Sequence, residues 1–252
     1  MKVYFQKERS IARIALNRPE KLHALDPEML DLLGNFVEEL EQDFETRVVL
    51  LEATGDRAFC AGADINAWSG LSPVQMWATW IRKGHQVFER IAATRQPVIA
   101  VISGLAFGGG LELALAADLR LASTDSFFAM PEVKIATVPG WTGTSRLSEI
   151  IGVARAKQMI LSGSPINAEI AERWGLVNEV LPKPELTERA VALAEQISMN
   201  APLAVQTAKQ IIGKSPGAVL EALAGAMNAF TADAQEGQTA FREKRAPKFQ
   251  GN

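Results

Sequence analysis

Apolar and polar positions alternate in the first fifty residues with spacings that predict successive elements. Val3 to Phe5 and Ile11 to Leu16 alternate with period two around a polar turn, which predicts a β-hairpin. Asp26-Pro27 supplies a cap residue followed by proline, and the apolar residues from Met29 to Phe44 keep helical spacing, which predicts an amphipathic helix. The apolar run Val48 to Leu51 predicts a buried strand.

Strand and helix patterns continue to alternate through the middle of the chain. Trp68 to Arg95 predicts an irregular helix, and Leu119 to Ala122 and Phe127 to Met130 predict short strands. From about Ala154 onward the pattern predicts helices separated by short breaks, the last beginning near Pro216. We find no internal repeat and no low-complexity linker. The order of elements predicts an α/β core with a helical C-terminal part.

Three consecutive glycines, Gly108 to Gly110, stand where a strand pattern becomes a helix pattern. The apolar run Pro97 to Ile102 leads into this stretch, and Glu112 follows in the predicted first helical turn. Glycines there bring bare backbone close to a ligand, and the first amides of the helix are free to receive negative charge. A tight packing turn is the alternative explanation for such a run.

Composition limits the classes of partner. The 252 residues are 48% hydrophobic and 22% charged, which is ordinary for a soluble globular protein of one large domain, or of one domain with a small appendage. A net charge of -3 gives no overall attraction to nucleic acid or anionic membrane. The single cysteine, Cys60, excludes an internal disulfide. Apolar runs are too short to span a bilayer, so we expect a cytoplasmic protein.

Several catalytic motifs are absent. There is no Gly-x-Ser-x-Gly elbow, and His23 and His85 have no serine or cysteine placed for a triad, so we expect both to be solvated or satisfied polar groups. A phosphate-loop pattern fails at Ala208, and a dinucleotide pattern fails at Leu113. No cluster of metal-ligating residues occurs, so we expect no metal site.

Two small-residue loops and two glutamates remain. The segment Ala58 to Ile65 follows a predicted strand, as the three glycines do, and Glu112 and Glu132 each lie beside a glycine-bearing loop. Backbone N–H groups from two loops can stabilise a thioester oxygen as it becomes enolate-like. Two carboxylates can then divide the proton transfers, one as base and one as acid. The helix dipole should keep Glu112 ionised unless it is deeply buried.

The segments Phe59-Cys60-Ala61-Gly62-Ala63-Asp64-Ile65, Gly108-Gly109-Gly110-Leu111-Glu112 and Pro131-Glu132 together resemble the enoyl-CoA hydratase/isomerase (crotonase) family. The resemblance covers nearly the whole chain. It implies an α/β fold, a crotonase-like spiral of ββα units with a helical C-terminal trimerisation region. It also implies a core at 1–195 holding the acyl-CoA site, and a helical region at 196–252 completing that site and the trimer contact.

The resemblance further implies a reaction: addition of water across the 2,3 double bond of a trans-2-enoyl-CoA to give a 3-hydroxyacyl-CoA. Ala63 and Gly109 would form the oxyanion hole, and Glu112 and Glu132 would hold the water with help from the backbone of Gly140. No cofactor is implied beyond the coenzyme A of the substrate. The residues implied to bind CoA are Lys21, Leu22, Ala24, Ala61, Asp64 and Ile65, with Phe241 and Lys244 reaching the CoA of a neighbouring subunit in a trimer or a dimer of trimers.

Some features leave alternatives open. Trp141 stands where common family members have a small residue, and it either narrows the acyl pocket or faces outward as a packing group. Trp68, Trp77 and Trp80 fit core packing by their helical spacing, and they also fall in a region that lines the acyl tail in the family. The basic residues near the C-terminus form either a local phosphate trap or a solvated helix face; they are Arg242, Lys244, Arg245 and Lys248.

The sequence leaves two classes of alternative function open. The same oxyanion hole serves double-bond isomerisation, thioester hydrolysis or retro-aldol cleavage in other members of the family. A non-catalytic scaffold that binds acyl-CoA or RNA is the alternative from a different class. The two retained acids disfavour an idle scaffold, and the negative net charge disfavours RNA.

Overall fold

The computed structural model describes residues 1–252, with ten strands and twelve α-helices. The strands are β1 (Val3–Glu8), β2 (Ile11–Leu16), β3 (Val48–Ala53), β4 (Ala58–Cys60), β5 (Val98–Ile102), β6 (Leu105–Phe107), β7 (Leu119–Ser123), β8 (Phe127–Ala129), β9 (Ile166–Asn167) and β10 (Glu179–Leu181). The helices are α1 (Pro27–Gln42), α2 (Ile65–Trp68), α3 (Pro73–Gln75), α4 (Arg82–Ala93), α5 (Gly109–Leu115), α6 (Gly143–Ile151), α7 (Val153–Ser162), α8 (Ala168–Trp174), α9 (Lys183–Ser198), α10 (Pro202–Ile211), α11 (Gly217–Ala229) and α12 (Ala232–Glu243). Short 3₁₀ turns occupy Pro19–Lys21 and Glu132–Ile135, and Met76–Ile81 is π-helical.

The strands form two sheets. The larger has the order β1-β2-β3-β5-β7-β10, with β1 antiparallel to β2 and every other pair parallel. The smaller has the order β4-β6-β8-β9, in which only β9 is antiparallel. Each of β3, β5 and β7 in the larger sheet is followed by β4, β6 or β8 in the smaller one and then by helix. The chain therefore repeats a ββα unit three times, although its sequence shows no repeat.

Helices cover both faces of the larger sheet. On one face α1 and α4 bury residues such as Leu33 and Phe88 in the main core. On the other face Leu186 and Ala190 of α9 pack with Ile99 in a second, smaller core. Because both faces are covered, all five residues of β5 are buried, which explains its continuous apolar sequence.

The predicted N-terminal elements are confirmed. β1 and β2 pair as the expected hairpin, with Val3 opposite Leu16. The Asp26 Oδ1 atom accepts a hydrogen bond from the Met29 N–H at 2.9 Å, and Pro27 is the first residue of α1. The sequence therefore specifies this helix start through one cap and one proline.

Other boundaries were predicted wrongly. The run Pro97 to Ile102 contains β5 as predicted, but the short strand β6, which separates this run from the glycines, was not predicted. The predicted helix from Trp68 to Arg95 is divided by a turn after α2 and by the π-helical segment. The helix expected from Pro216 is two helices, α11 and α12. The short strands β9 and β10 carry too few residues to show a periodicity.

Helices α10 to α12 form the C-terminal region, and α9 runs through the predicted division at residue 195 to end at Ser198. Val219, Leu223 and Met227 lie four residues apart on α11 and are 56%, 59% and 71% exposed. This spacing places them on one face of the helix. The face is apolar and has no contact that buries it within the chain.

Candidate active site

One cavity of about 260 Å³ brings together most of the residues predicted to carry chemistry. Its lining residues are Ala61, Gly62, Ala63, Ile65, Trp68, Met76, Trp80, Ile81, Gly108, Gly109, Glu112, Pro131, Glu132, Lys134, Ile135, Thr137, Val138, Gly140 and Trp141. They come from the loop after β4, the start of α5, the π-helical segment and the loops that follow β8. The cavity therefore lies where the second strands of the ββα units end.

Backbone geometry explains the glycine run. Gly108 has φ +50° and ψ −126°, a backbone conformation that residues other than glycine rarely adopt. This residue turns the chain from β6 into α5. A Cβ on Gly110 would lie 2.1 Å from the Cys60 carbonyl oxygen. The glycines thus allow the first turn of α5 to pack against the end of β4.

Two backbone amides are placed to receive a ligand oxygen. Gly109 is the first residue of α5, so its N–H has no acceptor within that helix. Ala63 lies outside the named strands, and its N–H donates to no loop carbonyl or side chain. The point where a Cβ on Gly109 would lie is 3.4 Å from the Ala63 nitrogen, so the two loops meet here. Their oxyanion-hole role stays a prediction.

Glu112 is buried and held by two backbone donors. Its Oε1 accepts hydrogen bonds from the Trp141 N–H at 2.7 Å and from the Gly143 N–H at 2.8 Å. Burial raises the pKa of Glu112 to about 7, opposed by these N–H groups and reinforced by the charge of Glu132. The expectation that the helix dipole keeps this carboxyl ionised applied only to a group that is not deeply buried; Glu112 is deeply buried, and desolvation outweighs the dipole.

Glu132 lies at the start of the 3₁₀ turn that follows Pro131. Its Oε2 atom is buried and accepts no hydrogen bond from the protein. Burial also raises the pKa of Glu132 above its ordinary value. A carboxyl group in this position favours its protonated form and is suited to donating a proton.

Trp141 faces inward. Its indole is buried and packs with Trp80 and Phe88, each at a ring-centroid distance of 5.2 Å. Of the two orientations left open by the sequence, the structure therefore has the one in which Trp141 lines the cavity. Gly140, the residue before it, also lines the cavity, and its predicted contact with water stays a prediction.

The aromatic residues before α4 have different environments. Trp68 and Trp80 line the cavity, whereas Trp77 is 75% exposed, so core packing was wrong for Trp77. Sequence reasoning missed Ile135 and Val138, which lie between the predicted site residues Glu132 and Gly140. The only indication in the sequence that these two residues line the cavity was their position between two predicted site residues.

The loop predicted to hold CoA packs beside the cavity without lining it. The Ala61 N–H donates to the Leu22 carbonyl at 2.9 Å, so this loop is joined to the segment after β4. Lys21 and Ala24 flank that contact. The Asp64 carboxylate accepts from Arg18 Nη1 at 2.8 Å and from the Asn66 N–H, so its side chain is already engaged within the protein.

His23 supports this loop. Its Nδ1 accepts from the Arg18 N–H, and its Nε2 pairs with the Thr54 carbonyl, both at 2.9 Å. Burial lowers the pKa of His23. The prediction of a satisfied polar side chain is confirmed for this histidine.

Phe241 and Lys244 lie at the end of α12, away from the cavity lining, and Phe241 is 86% exposed. Arg245 is ion-paired with Glu236 and Glu243. Of the four basic residues predicted to trap phosphate, this one is therefore neutralised by its neighbours.

The chain contains no group of three or more His, Cys, Asp or Glu side chains that could hold a metal ion. None of its helices combines the length and the apolar character that crossing a membrane requires.

Known proteins of one family resemble this chain in sequence and fold. Residues 6–252 match the family described as enoyl-CoA hydratase/isomerase. The chain is 38% identical to the short-chain-enoyl-CoA hydratase of Clostridium acetobutylicum, covering 96% of this chain and 95% of that protein. It is 39% identical to the (E)-benzylidenesuccinyl-CoA hydratase of Thauera aromatica over the full length of both. The crystal structure of enoyl-CoA hydratase from Bacillus anthracis superposes with a TM-score of 0.96 at 36% identity, covering 100% of both chains. The chain belongs to the enoyl-CoA hydratase/isomerase family.

Proposed function

We propose that this chain adds water across the 2,3 double bond of a trans-2-enoyl-CoA to give a 3-hydroxyacyl-CoA. The observation that carries the proposal is that the buried Glu112 and the half-buried Glu132 line one apolar cavity with the backbone of Ala63 and Gly109. This set supplies what hydration of an unsaturated thioester needs: an oxyanion site, a base and an acid.

The thioester carbonyl oxygen accepts the Ala63 and Gly109 N–H groups. As water attacks, negative charge moves onto this oxygen, and the two N–H groups stabilise it. Removing one such donor typically costs about 10² to 10³ in kcat. Because backbone donors hold this position before the reaction, no reorganisation is needed when the charge develops.

The two glutamates carry the protons. Glu112, ionised and held by Trp141 and Gly143, takes a proton from water while the water oxygen bonds to the β carbon. The π electrons of the double bond then form the bond between the α carbon and the proton given by Glu132. Exchange with solvent returns Glu112 to its ionised form and Glu132 to its protonated form. Water and alkene are thus consumed in a one-to-one ratio.

Relatives support hydration among the reactions of the family. Besides the two hydratases above, a crotonyl-CoA hydratase from Syntrophomonas wolfei is 34% identical over 98% of this chain. The reaction needs no cofactor beyond the coenzyme A of the substrate. The single buried cysteine suits a reducing compartment, and the cytoplasm is the proposed location.

Coenzyme A is proposed to lie along Lys21, Leu22 and Ala24 and over the segment from Ala61 to Ile65. Phe241 and Lys244 would reach the CoA of a neighbouring subunit. Their exposure at the end of α12, with the exposed apolar face of α11, supports assembly into trimers or dimers of trimers.

The proposal is tested by the absorbance of the conjugated enoyl-thioester band. Crotonyl-CoA is added to purified protein, and rapid loss of the band with formation of 3-hydroxybutanoyl-CoA is the expected result. CoA-ester binding without loss of the band, for crotonyl-CoA and for longer enoyl-CoAs, would refute hydration.

A further inference from the structure

The indole of Trp141 lies between two glycines. A Cβ on Gly84 of α4 would be 2.3 Å from the indole Nε1 and Cε2 atoms, and a Cβ on Gly109 of α5 would be 2.7 Å from Cζ3. No side chain other than hydrogen fits on either side of the ring without displacing it. The ring therefore fills the space between α4 and α5 and lies against the oxyanion-hole residue.

The position of the ring relative to Glu112 determines what a substrate meets. The Trp141 N–H donates to Glu112 Oε1, so the side chain starts beside the base and extends toward Gly109. A thioester with its carbonyl at Gly109 and its β carbon at Glu112 spans this ring. Acyl atoms beyond the β carbon then meet the indole and Trp80, whose rings pack at 5.2 Å.

The remaining cavity is small and apolar beyond the glutamates. Its volume of about 260 Å³ lies below the roughly 300–1,000 Å³ of pockets for drug-sized ligands. Met76, Ile81 and Val138 supply the other walls there. Trp141 therefore closes one side of the small apolar space that an acyl chain would enter.

We propose that Trp141, seated on Gly84, is the end wall of the acyl pocket and makes the enzyme selective for short-chain enoyl-CoA thioesters. This inference rests on the proposed hydratase function. It assigns to the Trp141 side chain a role in specificity that is separate from the role of its backbone N–H at Glu112.

The first test compares kcat/KM for crotonyl-CoA and trans-2-decenoyl-CoA. Wild-type protein should prefer crotonyl-CoA. In Trp141→Ala the ratio of decenoyl to crotonyl kcat/KM should rise about ten-fold or more, the scale on which apolar pockets discriminate. Trp141→Phe, which preserves more of the packing, should raise the ratio less. Trp77→Ala removes an exposed tryptophan that does not line the cavity, and it should leave the ratio unchanged.

A second test uses the contact with Gly84. Gly84→Ala in the wild type should displace the indole, lowering both the melting temperature and kcat/KM. In the Trp141→Ala background the same change should be neutral or stabilising, because the clash is gone and alanine favours helix. The change in melting temperature does not depend on any substrate.

The outcomes separate the two proposals. Failure of the wild type to hydrate any enoyl-CoA refutes the proposed function. Hydration with a decenoyl-to-crotonyl ratio that is unchanged in both Trp141 variants refutes the specificity role of Trp141. A wild type that prefers decenoyl-CoA or cinnamoyl-CoA over crotonyl-CoA also refutes the role.

Discussion

The Trp141 N–H donates to Glu112 Oε1 at 2.7 Å, so the proposed base and the wall of the acyl pocket are joined by one hydrogen bond. The Gly143 N–H binds the same oxygen. A single loop thus orients the carboxylate and shapes the space for the substrate. Changes in that loop should therefore affect reactivity and substrate choice together.

Replacing either acid should greatly slow hydration while preserving the fold. Glu112→Gln and Glu132→Gln keep side-chain shape but remove proton transfer, and each should lower kcat by about 10² to 10⁴. Steady-state hydration of crotonyl-CoA measures the loss, and circular dichroism checks the fold. Glu169→Gln changes an exposed glutamate paired with Arg173 and should retain full activity. Full activity in either site variant would remove that glutamate from the mechanism.

Activity should rise with pH through the titration of Glu112. The pKa of this group is raised to about 7 by burial, and only its ionised form accepts a proton from water. The value of kcat/KM for crotonyl-CoA should therefore increase about ten-fold per pH unit below 7, and it should fall again at the higher pH where Glu132 loses the proton that it donates. A profile that is flat between about pH 5 and 8 would show that ionisation of Glu112 does not limit the reaction.

Stability should change with pH in the opposite direction. The folded state raises the pKa of Glu112 from 4.5 to about 7, so it holds a proton that the unfolded state releases between these values. The stabilisation is complete below about pH 4.5 and is lost as pH rises through 7. Relative to Glu112→Gln, the wild type should lose on the order of 3 kcal/mol of unfolding free energy across this window. Urea unfolding of the wild type and of Glu112→Gln, each at about pH 4.5 and about pH 7, measures the change in unfolding free energy. An equal change with pH in the two proteins would contradict this prediction.

Gly110→Ala should be strongly destabilising. Its Cβ would lie 2.1 Å from the Cys60 carbonyl oxygen, a backbone atom of β4 that cannot move without distorting the sheet. We expect a loss of about 3 kcal/mol or more in unfolding free energy, as for overpacked core sites. Gly70→Ala meets no atom within 4 Å and serves as the control. A loss for Gly110→Ala no larger than that of the control would show that α5 and β4 are not packed this closely.

The exposed face of α11 should carry the proposed contact between subunits. Leu223→Asp combined with Met227→Asp places charge on this face and should convert the wild-type oligomer to monomers in analytical ultracentrifugation. Glu221→Gln, exposed on the same helix but off the apolar face, should leave the oligomer intact. A monomeric wild type would remove both this contact and the proposed reach of Phe241 to a neighbouring CoA.

Sequence patterns specified the local elements better than their arrangement. Asp26 and Pro27 identify the start of α1 because capping is a local interaction. The passage from β5 through β6 to the glycines was not evident, since a strand of three residues has no measurable period. The pairing of β4, β6 and β8 into a second sheet depends on contacts distant in the chain, so no local pattern reveals it.

Part of the candidate site could also be predicted, because some of its residues stand in local sequence patterns. Glu112 and Glu132 stand beside glycine loops, and this feature of the sequence identified both. The ionisation of Glu112 depends on how deeply the surrounding loops bury it, and this depth cannot be read from the position of Glu112 in the helix dipole. The orientation of Trp141 depends on Gly84, which is 57 positions earlier in the chain, and no spacing rule connects the two.

Hydration is tested most directly by the mass of the product formed from crotonyl-CoA in oxygen-labelled water. We expect 3-hydroxybutanoyl-CoA that carries one labelled oxygen at the third carbon, formed by the wild type and about 10² to 10⁴ times more slowly by Glu112→Gln and Glu132→Gln. Free coenzyme A would indicate thioester hydrolysis, and a product of unchanged mass would indicate isomerisation. Either result in place of the labelled hydroxy product would contradict the proposed hydration.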